Sequence, residues 1–243
     1  MAPLARTHSP PRVTGRDGHA KYRPCLRLDF AFRCAYGLAH EREVGPSENY
    51  GGFEIEHFRP QGLRKFRRLA NSYANLLWAC PTCNRAKLHT WPGPEEAALG
   101  MRLVDPTEEA LGEYLTLRGD VVVGTEIPSR SQAASYMIDV VRLNGAAHQE
   151  RRRRKTLAVK IATLEATLEV FREDVDAHDE AKLAQIAAAE KELADFAAMI
   201  GASLPWDAPQ ACHCPPDGTP AVAASPRRQT RRSRKKRRSA VPR

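Results

Sequence analysis

The stretch YANLLWACPTCNRAKLHTWP, residues 73–92, decides the reading of this chain. Leu76-Leu77-Trp78-Ala79 is a short apolar run that suits a strand. Cys80 and Cys83 follow at once, two thiolates separated by two residues, the spacing that lets both reach one tetrahedral Zn2+ from a knuckle turn. Thr82 is placed to cap a short helix running through Lys87. A CxxC pair also serves redox chemistry, but a redox pair normally opens a helix in a βαβ context, and the pattern here is strand, turn and short helix.

Upstream, FEIEHFRP at 53–60 alternates apolar and acidic residues from Phe53 to Glu56, which predicts a strand with Phe53 and Ile55 on one face. Successive side chains of a strand point to opposite faces, so Glu56 and His57 can act together only where the strand ends and the chain turns. Taken alone, the pair reads as a surface acid beside a partly buried histidine, and Asn75 and Asn84 as common caps. The basic segment Leu63 to Ala70 predicts a helical turn or two. Further back, Pro24 favours a helix over Tyr22 to about Cys34. Residues 37–52 read as loop, and residues 1–20, rich in Pro, Gly, Arg and His without a hydrophobic period, as a mobile arm.

Downstream, residues 113–125 read as a hairpin turning at Arg118-Gly119-Asp120. From Ser129 to about Ala202 the pattern is helical: Leu157, Ile161, Leu164, Leu168 and Phe171 follow 4-3 spacing, and Leu183, Ile186, Leu193, Phe196 and Ile200 nearly repeat it. The charged residues around Glu173 to Glu180 predict a reversal into an antiparallel helical hairpin. The cluster Arg151 to Lys155 lies near a helix start, where positive charge opposes the macrodipole, and so hints at an external anion. From Pro205 onward, Pro, Ala, Ser and Arg predict disorder. The expected organisation is an arm at 1–20, a core at 21–127, a helical region at 128–204 and a basic tail at 205–243, with an α+β fold class.

Charge sharpens this division. The 243 residues carry a formal net charge of +9, yet residues 226–243 hold ten of the 38 basic residues and none of the 29 acidic ones, leaving the rest one charge short of neutral. The high isoelectric point therefore belongs to the tail and does not assign the folded part to nucleic acid. No apolar run approaches bilayer length and residues 1–24 lack the apolar stretch of a secretory signal, so a cytoplasmic setting without a membrane is expected. In a reducing compartment, clustered cysteines serve metal more often than disulfides.

The order Cys34, Glu56-His57, Asn75, then Cys80-x-x-Cys83-Asn84-x-x-Lys87 resembles the HNH endonuclease family, over residues 33–92. The wording RCAYG, EIEHFRP and NLLWACPTCNRAK looks like the bacterial HNH nucleases of anti-phage defence systems, and a weaker likeness runs through Asp105-Pro106 and Leu143-Asn144. The resemblance implies a ββα-metal core supported by a structural zinc, and hydrolysis of DNA, or alternatively RNA, to 5′-phosphate and 3′-hydroxyl ends. It implies Glu56 and Asn84 as ligands of a catalytic Mg2+ or Mn2+, His57 as general base and Asn75 as the residue that orients it. Arg85 and Lys87, one helix turn on, would hold flanking phosphates.

Gly37 departs from the family pattern, because it stands where a fourth zinc ligand is expected after Cys34-Ala35-Tyr36. A zinc on Cys34, Cys80 and Cys83 could be completed by His40, by Cys25 or by water, with His40 the preferred substitute, or zinc could be absent. Two rival readings remain: a degenerate member that binds nucleic acid without cutting, and a helical module at 147–201 docking a partner such as an ATPase subunit. Cys212-His213-Cys214 has no partner at metal-binding spacing.

Overall fold

Leu76–Ala79, the apolar run before the two cysteines, forms strand β2 and is wholly buried in the computed structural model, which describes residues 3–15, 18–45, 52–176 and 179–200. It pairs antiparallel with β1 (Glu54–His57), in a register that sets Glu54 opposite Ala79 and His57 opposite Leu76. Helix α1 (Arg23–Asp29) carries Pro24 in its first turn as expected but ends at Asp29, short of Cys34; it packs on β2 and buries Leu26. Helix α2 (Pro81–Lys87) follows β2 directly and packs back on β1; Cys80 is its N-cap, so Thr82 lies inside the first turn instead of capping it. The basic segment forms a 3-10 turn at Arg64–Leu69.

A short helix α3 (Pro94–Ala98) leads to the expected hairpin, β3 (Leu115–Arg118) and β4 (Val121–Gly124), joined through Gly119 at a positive φ of 63°. The fold is mixed α+β, with two small two-stranded antiparallel sheets among the described residues. Helix α4 (Pro128–Val140) covers β4, and Met137, Val141 and Leu143 join Leu26, Phe30, Tyr36 and β2 in one hydrophobic core. Asn144 extends the second sheet, its side chain accepting from Val122 N and donating to Val122 O, each at 2.8 Å. Inside the core, Glu41 accepts a two-point grip from Arg27 (2.9 and 2.7 Å) and a bond from Trp78 Nε1 at 2.7 Å.

Helices α5 (Ala146–Asp174) and α6 (Glu180–Ile200) pack on each other, and Arg172 reaches Glu190 at 2.7 Å. The expected stripes are covered in part: Ile161 and Ile186 are buried and Leu157, Leu168, Leu183 and Leu193 half-buried, whereas Leu164, Phe171 and Phe196 are exposed. Two helices alone leave part of each 4-3 stripe without a neighbour. No described helix is long and apolar enough to cross a membrane.

Residues 3–15 form no regular element, yet they are strapped to the core where a mobile arm was expected. Leu4 N donates to Pro106 O, Arg6 Nη2 to Leu76 O, and Thr7 and His8 converge on the Asp29 carboxylate. These bonds come from backbone amides and single polar side chains, which leave no periodic signal. The expected disordered basic tail and Cys212-His213-Cys214 lie outside the described residues.

Candidate active site and metal centre

Period-two alternation puts Glu54 and Glu56 on the α2 side of β1, and the three-residue offset of Asn84 and Lys87 puts both on the facing side of α2. Asn84 Nδ2 donates to the Glu54 carboxylate, while Lys87 Nζ donates to the Glu56 carboxylate and, at 2.9 Å, to His57 O. Thus the two expected metal ligands have separate partners: Asn84 is joined to Glu54, and Glu56 to Lys87. Lys87 is fully buried and Glu56 nearly so. Burial pushes the Glu56 carboxyl up to about 7 against the pull of the ammonium, with the nearby Glu54 charge adding to the rise, and burial likewise lowers Lys87. The expectation that Lys87 contacts phosphate is corrected: a side chain with no exposed surface cannot reach a strand of nucleic acid. Arg85 is exposed and keeps that option.

His57 lies on the other face at the end of β1. Its Nε2 sits 2.9 Å from Ala70 O, and because a carbonyl only accepts, Nε2 carries the proton and Nδ1 is left as the basic nitrogen. Burial lowers its pKa, which favours the neutral, proton-accepting ring, and His19 packs edge-on against it at 5.0 Å. Asn75 acts through the backbone just beyond His57, accepting from Arg59 N at 2.9 Å and donating to Arg59 O at 3.1 Å. Its amide also donates to Leu69 O at 3.4 Å, so it ties the turn leaving β1 to the 3-10 turn before Ala70. The 3-10 turn that presents Ala70 O carries exposed Arg64, Lys65, Arg67 and Arg68, and Arg59 is exposed next to it.

On the opposite end of α2, the sulfurs of Cys34, Cys80 and Cys83 lie within 4.8 Å of one another, all buried. Cys80 and Cys83 come from the N-cap and first turn of α2, and Cys34 from a tight turn in which Gly37 N donates to its sulfur at 3.4 Å. Hydrogen bonds from the other two thiols pull the Cys80 pKa down, and burial pushes Cys34 up. Three soft sulfur donors in a dry site suit a metal such as zinc. His40 does not join them: its Nδ1 accepts from Arg42 N and its backbone N donates to Glu43, so it caps the turn Glu41–Glu43. Cys25, on α1, is also outside the group.

The residue that sequence reasoning missed here is His148, in the first turn of α5. Its Nε2 is 3.3 Å from Cys83 Sγ, and its ring fills the space beside Gly37, where a Cβ would meet His148 Cε1 at 2.7 Å. The arginine cluster that follows is engaged within the protein. Arg151 donates to His148 Nδ1, Arg152 to Asp120 O and Leu143 O, Arg153 to the Asp120 carboxylate and Arg154 to Glu150. Glu54 was also missed, although its two-residue offset from Glu56 on a strand was a signal for it. No protein-family model, curated protein or solved structure matches this chain.

Proposed function

We propose that the chain is a metal-dependent endonuclease of the HNH type, cutting DNA with His57 as general base. The observation that carries this reading is the Nε2–Ala70 O bond, which leaves Nδ1 of a neutral imidazole as the proton acceptor. The surrounding order, two antiparallel strands followed by a short helix that packs back on the first, supports a ββα-metal reading. His57 would take the proton of the attacking water, and Asn75, by fixing the turn at Arg59, would hold the imidazole where the strand ends. Oxygen donors on Glu54, Glu56 and Asn84 suit a hard divalent cation, Mg2+ or Mn2+. Glu54, exposed and bonded to an amide, is the more open carboxylate, with Glu56 behind it held by Lys87. When bound, such a cation supplies charge relief at the phosphoryl oxygens and the leaving 3′ oxygen. Arg59, Arg64, Lys65, Arg67, Arg68 and Arg85 offer exposed positive charge for the nucleic-acid backbone.

The test is nicking of supercoiled plasmid with Mg2+ or Mn2+ by the full chain and by His57→Ala. A general base contributes roughly 10²–10⁴-fold, so the variant should lose at least 100-fold while keeping its far-UV circular dichroism. Equal cutting by both proteins refutes the assignment. The exposed Leu164, Phe171 and Phe196 on α5 and α6 favour a second reading, dependence on a docked partner such as an ATPase subunit. DNA binding without nicking by the isolated chain would move that reading ahead.

A further inference from the structure

We infer that His148 is the fourth ligand of a Cys3His zinc centre, so that a metal seated between the Cys34 turn and α2 also pins the first turn of α5. This inference stands apart from the nuclease reading, because it concerns a different end of α2 and is read out by metal binding alone.

Three observations converge on it. A tetrahedral zinc with three thiolates and one imidazole has sulfur–sulfur edges of about 3.8 Å and sulfur–nitrogen edges of about 3.5 Å, from Zn–S near 2.3 Å and Zn–N near 2.05 Å. The three sulfurs lie within 4.8 Å of one another, and His148 Nε2 stands 3.3 Å from Cys83 Sγ. Gly37 occupies the position from which a second CxxC pair would present its last thiolate, and the His148 ring lies against it. A side chain at residue 37 and the imidazole at 148 compete for one space, so the glycine and the histidine belong to a single exchange of ligand.

The delivery of the ring is also built. His148 N donates to Gly145 O at 2.9 Å in the opening turn of α5, and that turn is fastened to the second sheet by Asn144 on Val122 and by Arg152 on Asp120 O and Leu143 O, each at 2.7–2.8 Å. His148 is outside the tight triangle of sulfurs, and its Nδ1 accepts from Arg151 at 2.9 Å. To ligate, the ring would need to shift inward from Cys83 toward Cys34 and Cys80. In the metal-bound form the three sulfurs would bind as thiolates, their protons passing to solvent, and His148 would bind through Nε2 with its ring proton on Nδ1.

The experiment uses the full chain loaded with zinc, then with Co2+ as a spectroscopic probe. Wild type should bind one zinc per chain by mass spectrometry and give the visible bands of tetrahedral Co2+ with three sulfurs and one nitrogen. His148→Cys should keep one metal with the bands moved to longer wavelength, as a fourth sulfur requires. His148→Ala should weaken zinc in chelator competition by more than the roughly 10–100-fold that loss of an outer partner costs. Gly37→Cys combined with His148→Ala should recover the affinity. Wild type without zinc overturns the inference, as does His148→Ala with unchanged affinity and spectrum, or His148→Cys with an unmoved spectrum. Should His148→Ala fail to fold, the His148→Cys spectrum decides.

Discussion

Replacing Lys87 by Met removes the ammonium that faces Glu56 inside the protein. Lys87 Nζ bonds both the Glu56 carboxylate and His57 O, with no exposed surface of its own. Breaking a buried pair from one side costs about 3–5 kcal/mol. The carboxyl has an escape, which is to take up a proton, and with Lys87 in place burial already raises it to about 7. Lys87→Met should therefore lose an amount at the lower end of that range, about 3 kcal/mol at pH 7. Wild type and variant both hold the proton in the folded state from pH 4.5 to about 7, so the deficit should be flat there and grow above about 7, where only the wild-type carboxyl can ionise against an ammonium. Urea unfolding in magnesium-free buffer between pH 5.5 and 8.5 measures this directly. Glu56→Leu combined with Lys87→Met should recover most of the loss, because an apolar pair of similar size leaves no charge stranded. A single variant within 1 kcal/mol of wild type at pH 7 would refute the reasoning, showing that Glu56 is not an uncompensated buried acid without Lys87.

Two further outcomes are expected. Burial raises the Asp29 pKa, but hydrogen bonds from Tyr73, His8 and Thr7 overcome that and hold it below 3.8, so the stability it contributes is full above pH 3.8 and lost as pH falls below it. Asp29→Asn should cost about 1–3 kcal/mol at pH 7 and flatten the acid limb of the unfolding midpoint; an unaltered limb would remove Asp29 from the strap. Deleting residues 226–243 should reduce the salt dependence of DNA binding, by a log–log slope of about 0.9 for each phosphate that the tail neutralises, and leave plasmid nicking in place. An unchanged slope would mean that the ten basic residues do not touch the backbone.

What the sequence disclosed, and what it hid, follows from the range of each interaction. Cys80 and Cys83 were legible because a single turn brings them together, and β2 because four apolar residues in a row have no solvent-facing alternative. Asn75 was singled out as the residue that orients His57, whereas what the structure shows is its grip on the Arg59 backbone, a partner that spacing does not announce. Lys87 was misread because burial of a lysine depends on the carboxylate 31 residues earlier, which composition around it does not announce. His148 was hidden by 65 residues of intervening chain, and the available clue was negative: a glycine where a ligand is expected leaves room for something else. The arginines after it pointed to an outside anion, while the structure commits four of them to the protein's own carbonyls, carboxylates and imidazole.

The separation of Cys83 from His148 also sets a timetable. A ribosome adding about 5–20 residues per second needs roughly 3–13 s to cover those 65 positions. Throughout that interval the nascent chain holds three neighbouring thiols and lacks the imidazole that stands beside them in the finished fold. Thiols in that state are open to oxidation and to the wrong ion, so the yield of correctly folded protein should depend on how reducing the surroundings are during synthesis, long after which the same cysteines are sealed.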